Sequence, residues 1–173
     1  VIPKHMESIT NKLIQTGVEV EEFDESIRIR RRGPLSATTI KTMPHPGFPT
    51  DMQPQFTAML TLAKGTSVVT EGVWDNRFRY VDELARMGAN IQVDGKVAVV
   101  QGVETLTGAP VKATDLRAGA ALMIAALTAK GTTEIEDIYH IERGYEDVVD
   151  KFRALGADIK RVETPNLEIP AAL

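Results

Sequence analysis

Two aspartates stand in nearly the same local setting. Asp51 lies in Pro49-Thr50-Asp51-Met52 and Asp115 in Ala113-Thr114-Asp115-Leu116, and each precedes a nearly all-apolar segment. Such a residue serves as a helix cap when its oxygen accepts a free backbone N–H. It also serves in proton transfer, because a helix N-terminus favours negative charge and keeps the carboxylate ionised and able to accept a proton. Three arginines accompany the pair. Arg117 follows Asp115 by two residues, at the mouth of an apolar segment where arginine rarely sits without an anionic partner. Arg77 and Arg143 each stand just before an amphipathic segment, where a solvated loop arginine and an anion ligand both fit. A guanidinium binds carboxylate or phosphate at two points and keeps its charge.

Other chemistries find less support. Trp74 is the single tryptophan, and a loop aromatic serves packing or ligand contact equally. His45, between Pro44 and Pro46, reads as a rigid loop residue. No His or carboxylate cluster has metal-ligand spacing and no glycine-rich phosphate loop is present, so no cofactor is expected.

The elements that must position these residues are set by a repeat. The two Thr-Asp sites are followed by apolar segments ending in Ala63-Lys64-Gly65-Thr66 and Ala129-Lys130-Gly131-Thr132. Short β-like runs follow, Ser67 to Thr70 and Thr133 to Ile138, then Arg77 or Arg143 and a second helix. These helices close on Leu84-Ala85-Arg86-Met87-Gly88-Ala89 and Phe152-Arg153-Ala154-Leu155-Gly156-Ala157, with a third copy at Leu13-Ile14-Gln15-Thr16-Gly17-Val18. Glycine just past a helix is a C-cap. Period-two alternation after each cap predicts strands at 18–20, 89–93 and 157–160. Asp94-Gly95 and Phe23-Asp24-Glu25-Ser26 read as hairpin turns. The unit is about 70 residues: buried helix, strand, amphipathic helix, strand, hairpin, strand. The segments 53–64 and 118–130 are apolar on nearly all sides, which predicts enclosed helices with sheets outside. The chain opens in mid-unit, so a closed set of units needs a strand and helix from elsewhere.

Composition bounds the function. Hydrophobic residues make up 43% and charged residues 25% of 173, the balance of a chain that buries a core. No apolar run reaches the roughly 18 residues of a membrane span, and no leader pattern opens the chain. There are no cysteines, which removes disulfides and thiolate metal sites and fits a cytoplasmic setting. The net charge of −4 speaks against a nucleic-acid binder.

Four separated motifs, in order, carry a family resemblance: Gly47-Phe48-Pro49-Thr50-Asp51-Met52-Gln53, Asp75-Asn76-Arg77-Phe78, Ala113-Thr114-Asp115-Leu116-Arg117-Ala118 and Ile141-Glu142-Arg143-Gly144-Tyr145-Glu146. Together they resemble the UDP-N-acetylglucosamine enolpyruvyl transferases. The resemblance implies an α/β fold of repeated βαβαββ units around buried helices, one of two such domains. Residues 1–163 would form most of the C-terminal domain and 164–173 an irregular tail. The partner would be the N-terminal domain of the same protein, which in the family carries a mobile loop with a reactive cysteine, so this chain alone would be inactive. The implied reaction moves the enolpyruvyl group of phosphoenolpyruvate to the 3′-hydroxyl of UDP-N-acetylglucosamine and releases phosphate. It is the first committed step of bacterial peptidoglycan synthesis, and so bears on cell shape and division. By the same resemblance Asp51 is the catalytic aspartate beside the sugar hydroxyl, and Asp115 organises the donor pocket. Arg77, Arg117, Arg143 and Leu116 hold phosphoenolpyruvate. Thr50 and Val73 join Asp51 at the UDP-sugar. The related shikimate-pathway transferases carry a Lys-Glu-Ser/Thr-Asp-Arg run where this chain has Trp74-Asp75-Asn76-Arg77-Phe78, which favours the UDP-sugar family. A non-catalytic anion or UDP-sugar binding module is the other alternative.

Overall fold

The computed structural model describes residues 1–163; the expected irregular tail at 164–173 lies outside them. A short 3-10 turn, Pro3–Met6, leads into α1 (Glu7–Gln15), then β1 (Val18–Glu22) and β2 (Ile27–Arg31). The middle unit runs β3 (Thr39–Lys41), α2 (Gln53–Leu60), β4 (Thr66–Thr70), α3 (Val81–Arg86), β5 (Asn90–Asp94) and β6 (Val97–Gln101). The last unit holds β7 (Pro110–Lys112), α4 (Leu116–Ala126), β8 (Glu134–Glu136), α5 (Tyr139–Glu142) and α6 (Val148–Ala154).

Each unit carries its own sheet. The middle one is complete, with strand order β3-β4-β6-β5: β3 is parallel to β4, and β6 is antiparallel to both β4 and β5. This is the expected βαβαββ unit. The parallel pair β7-β8 repeats β3-β4, and the hairpin β1-β2 repeats β5-β6. Gly17, Gly88 and Gly156 all take positive φ (+86°, +92° and +94°), a conformation glycine enters without a Cβ clash. Each closes its helix the same way, donating to the carbonyl three residues back.

One expected strand does not form. Residues 157–160 alternate as a strand would but form no ladder with another strand among the described residues. In the middle unit β5 is held only by β6, its hairpin partner. Among the described residues no strand lies beside the 157–160 segment, which meets α6 instead: the Ala157 N–H donates to the Phe152 carbonyl, and the Ile159 carbonyl accepts from Arg153 Nε at 2.7 Å.

The two apolar segments are enclosed helices, as the sequence implies. All of α2 except Met59 is buried, and α4 buries Ala118, Gly119, Ala121, Leu122, Met123 and Ala125. Ala58 meets Ala118, Ala121 and Ala125 in one core cluster, small side chains that let the helices approach closely. Both helices end about four residues before the sequence suggests. The backbone of Lys64 instead pairs with Leu35 and Ala37, and that of Lys130 with Leu106 and Gly108. These pairings come from distant segments and draw the chain out of the helix. Bounded by α1, β2 and the α2–α4 pair, an apolar groove of about 230 Å³ is lined by Leu13, Val18, Ile29, Met59, Leu62 and Ile124 among others. Among the described residues no helix is long and apolar enough to cross a membrane.

Candidate functional site

Asp51 sits in a 3-10 turn, Thr50–Met52, immediately before α2. The approach to this turn is anchored by Phe48, 4% exposed, whose ring meets Phe56 of α2 edge-on at 4.9 Å. Pro54 lies in the first turn of α2, where its missing N–H costs nothing. The expected capping role of Asp51 is not found: its side chain accepts no backbone N–H. The 3-10 turn leads the chain into the helix and turns the carboxylate toward two arginines.

Asp115 does cap. Its backbone is extended, and Oδ1 accepts from the N–H groups of Arg117 (2.8 Å) and Ala118 (2.9 Å). The cap fixes the start of α4 and the origin of Arg117, the second residue of that helix. Arg117 Nη2 donates to Asp51 Oδ2 at 2.6 Å, and its Nη1 donates to the Tyr145 hydroxyl at 3.0 Å. Arg77 Nη2 donates to Asp51 Oδ1 at 3.2 Å, while its Nε donates to the Thr50 hydroxyl at 3.2 Å. Arg77 also stacks at 5.5 Å from the centre of the Trp74 ring. One carboxylate therefore bridges guanidinium groups from two units.

Exposure is graded across this cluster. The side chain of Arg77 is 10% exposed and that of Arg117 28%, while Asp51 is 52% exposed. The cations are held by the scaffold and the carboxylate faces the open side. The hydrogen bond from Arg117 holds the Asp51 carboxyl below the ordinary aspartate value, with the charges of Arg117 and Arg77 adding to it against the effect of burial. Arg117 is raised in turn, first by its hydrogen bond to Asp51.

The remaining residues fall around this pair unevenly. Arg143 follows α5, is exposed, and among the described residues its side chain makes no ion pair. Its neighbours tie its loop to α4: Tyr145 receives Arg117, and a Cβ on Gly144 would meet Leu116 Cδ2 at 2.6 Å. The structure thus brings Asp51, Thr50, Arg77, Arg117, Asp115 and Leu116 together and leaves Arg143 exposed, outside their hydrogen-bond network among the described residues. Val73 and Trp74 are 42% and 59% exposed on the loop that follows β4. Two participants are given no role by the sequence. Tyr145 was visible only as part of a motif. Glu71, 1% exposed, accepts hydrogen bonds from Thr42, Thr50 and the 73–74 backbone; a lone Glu after a strand gives no signal of burial.

The chain is similar to known proteins. The family described as EPSP synthase (3-phosphoshikimate 1-carboxyvinyltransferase) matches residues 2–152. A protein of Caldanaerobacter subterraneus subsp. tengcongensis named UDP-N-acetylglucosamine 1-carboxyvinyltransferase 3 is 59% identical over 94% of this chain, and the chain covers 39% of it. A protein of Clostridium botulinum named UDP-N-acetylglucosamine 1-carboxyvinyltransferase is 56% identical, again over 94% of this chain and 39% of its own length. The chain therefore spans about two fifths of these curated relatives. Among solved structures, the enolpyruvyl transferase NikO from Streptomyces tendae superposes with a TM-score of 0.84 at 32% identity, over 92% of this chain and 37% of that one. EPSP synthase from Acinetobacter baumannii shares the fold, with a TM-score of 0.63 at 22% identity over 90% of this chain and 37% of that one. This chain belongs to the EPSP synthase (3-phosphoshikimate 1-carboxyvinyltransferase) family of enolpyruvyl transferases.

Proposed function

We propose that this chain forms residues of a C-terminal domain in a longer enzyme that transfers the enolpyruvyl group of phosphoenolpyruvate to the 3′-hydroxyl of UDP-N-acetylglucosamine. The observation that carries the reading is the single carboxylate of Asp51 held between Arg77 and Arg117. Enolpyruvyl transfer needs a base for the acceptor hydroxyl and fixed cations for a carboxylate and a phosphate. In the proposed step the hydroxyl gives its proton to Asp51 as its oxygen bonds to C2 of the donor, while C3 gains a proton from a general acid. The return step removes a proton from C3, breaks the bond from C2 to the phosphate oxygen and releases phosphate. The charge on the donor carboxylate and phosphate persists throughout, which suits guanidinium groups that stay charged and need little reorganisation.

Asp51 held by two arginines is a weak base, since their hydrogen bonds favour its ionised form. An incoming carboxylate or phosphate competes for the same guanidinium donors. Donor binding would therefore free Asp51 at the moment its basicity is needed. Arg143 would join Arg77, Arg117 and the Leu116 backbone at the donor, and Thr50 and Val73 would contact the sugar nucleotide. The names of the relatives at 59% and 56% identity support the UDP-sugar acceptor. The corresponding work belongs to cell-wall synthesis in the cytoplasm, and the rest of the cleft would come from the N-terminal domain.

The test is phosphate release by the full-length protein with phosphoenolpyruvate and either UDP-N-acetylglucosamine or shikimate 3-phosphate. Turnover with the UDP-sugar alone is expected. Turnover with shikimate 3-phosphate alone would reassign the acceptor, and binding of the UDP-sugar without turnover would make the protein a binding module.

A further inference from the structure

We propose that Glu71 is a positioning residue for the Arg77–Asp51 pair, acting through the Thr50 hydroxyl; the role rests on the enolpyruvyl-transfer reading above. Glu71 follows β4 and is 1% exposed. Among the described residues it has no ion-pair partner within reach, yet four donors converge on its carboxylate. Oε1 accepts from the Thr42 hydroxyl (2.7 Å) and from the N–H groups of Val73 and Trp74 (2.9 Å each). Oε2 accepts from the Thr50 hydroxyl at 3.0 Å. Burying a carboxylate is costly unless its lone pairs are filled, and here they are filled by groups from three separate segments.

The arrangement has a direction. A hydroxyl carries one hydrogen and two lone pairs. Thr50 gives its hydrogen to Glu71, so a lone pair is left to receive Arg77 Nε at 3.2 Å. Arg77 then presents Nη2 to Asp51. Thr42 repeats the device, giving its hydrogen to Glu71 and receiving the N–H of Gly72 at 2.7 Å. Glu71 thereby sets two things at once: the polarity of Thr50 beneath Arg77, and the course of the loop 72–74 that carries Val73 and Trp74. Gly72 has no room for a side chain, since a Cβ there would meet the Thr42 carbonyl oxygen at 2.6 Å.

An amide in place of the carboxylate keeps the shape but cannot accept from all four donors. With its oxygen toward Thr42 and the loop amides, its NH₂ faces Thr50 as a donor. The Thr50 hydrogen must then turn, and the lone pair that received Arg77 is contested.

The experiment uses the full-length protein and reads kcat/KM for phosphoenolpyruvate, with UDP-sugar affinity by calorimetry. Glu71→Gln is expected to lower donor kcat/KM about tenfold, equivalent to roughly 1.4 kcal/mol. Thr50→Val should cause a similar loss, and Thr50→Ser, which restores the hydroxyl, should recover most of it. In the Thr50→Val background Glu71→Gln should add little, because residues that act through one contact are not additive. A purely structural Glu71 would cost as much in either background, and that additivity would overturn the role. So would equal defects in Thr50→Val and Thr50→Ser, a comparison that stands even if Glu71→Gln does not fold. An active wild type with an unaltered Glu71→Gln variant overturns this role alone. A wild type that releases no phosphate overturns the reaction and the role with it.

Discussion

Replacing Asp51 by Asn separates chemistry from architecture at one position. Asp51 makes two ionic hydrogen bonds, to Arg77 and Arg117, with a side chain 52% exposed, and it caps no helix. Exposed ion pairs contribute only about 0.2–1 kcal/mol each. Asn keeps one acceptor, so the full-length variant should lose little stability, a shift of a few degrees in Tm at roughly 2–4 °C per kcal/mol. Turnover should fall by roughly 10²–10⁴-fold, the usual worth of a general base. UDP-sugar affinity should weaken far less. Phosphoenolpyruvate should bind at least as tightly as before, because Asp51 no longer competes for the guanidinium donors. The pH behaviour follows from the lowered Asp51 value. A group whose folded value is depressed stabilises the fold fully above its unfolded value, about 3.9 for Asp, and less as pH falls through the folded value. Wild type and Asp51→Asn should therefore differ by a constant amount between pH 5 and 8, and converge in acid below about pH 4. Phosphate-release kinetics, calorimetry with each ligand and thermal melts decide the matter. Near-normal turnover, or lost phosphoenolpyruvate binding with the base gone, would refute the reasoning.

The other expectations concern single contacts. Asp115→Ala removes the two amide bonds that start α4 and should destabilise the protein by about 0.5–2 kcal/mol, seen as a lower denaturant midpoint. Arg117→Lys cannot span Asp51 and Tyr145 together, so phosphoenolpyruvate kcat/KM should drop at least about tenfold with UDP-sugar affinity nearly unchanged; retained donor use would remove Arg117 from the donor site. Gly72→Ala should displace the 72–74 loop and weaken UDP-sugar binding in calorimetry, because Thr42 stands against the new methyl. The chain by itself should release no phosphate from phosphoenolpyruvate with UDP-N-acetylglucosamine, since one wall of the cleft neither positions nor shields the reactants; turnover by the purified chain would overturn the two-domain reading.

Legibility followed the range of the interaction. The helix-closing glycines and the hairpins at Phe23–Ser26 and Gly95 depend on neighbours in sequence, and each is where the pattern places it. The enclosure of α2 and α4 was legible from their all-round apolarity. Their ends were not, because Lys64 and Lys130 are drawn away by backbone groups at 35–37 and 106–108. Residues 157–160 have strand character without a strand partner among the described residues. Glu71 was illegible for the same reason: its donors lie at Thr42, Thr50 and the 73–74 backbone, and nothing local marks them as convergent.

Asp51 and Asp115 show how a duplicated scaffold acquires a site. Both follow a threonine and open an enclosed helix, and the sequence alone treats them alike. The residue two positions later differs: Gln53 in one unit, Arg117 in the other. Gln53 is fully buried and receives the hydroxyl of Tyr80 at 3.0 Å, so it belongs to the core. Arg117 cannot be buried in that way without its charge being met, and it reaches across to the other unit. Its own neighbour Asp115 is already committed, with Oδ1 filled by two backbone amides. Asp51, set within a 3-10 turn and free of capping duty, is the anion left to answer it. One unit thus supplies the carboxylate and the other the cation from nearly equivalent positions. Because each helix start is fixed by its own core, the pair meets with little loss of freedom, and under the proposed function an anionic substrate that takes the arginine would release the base.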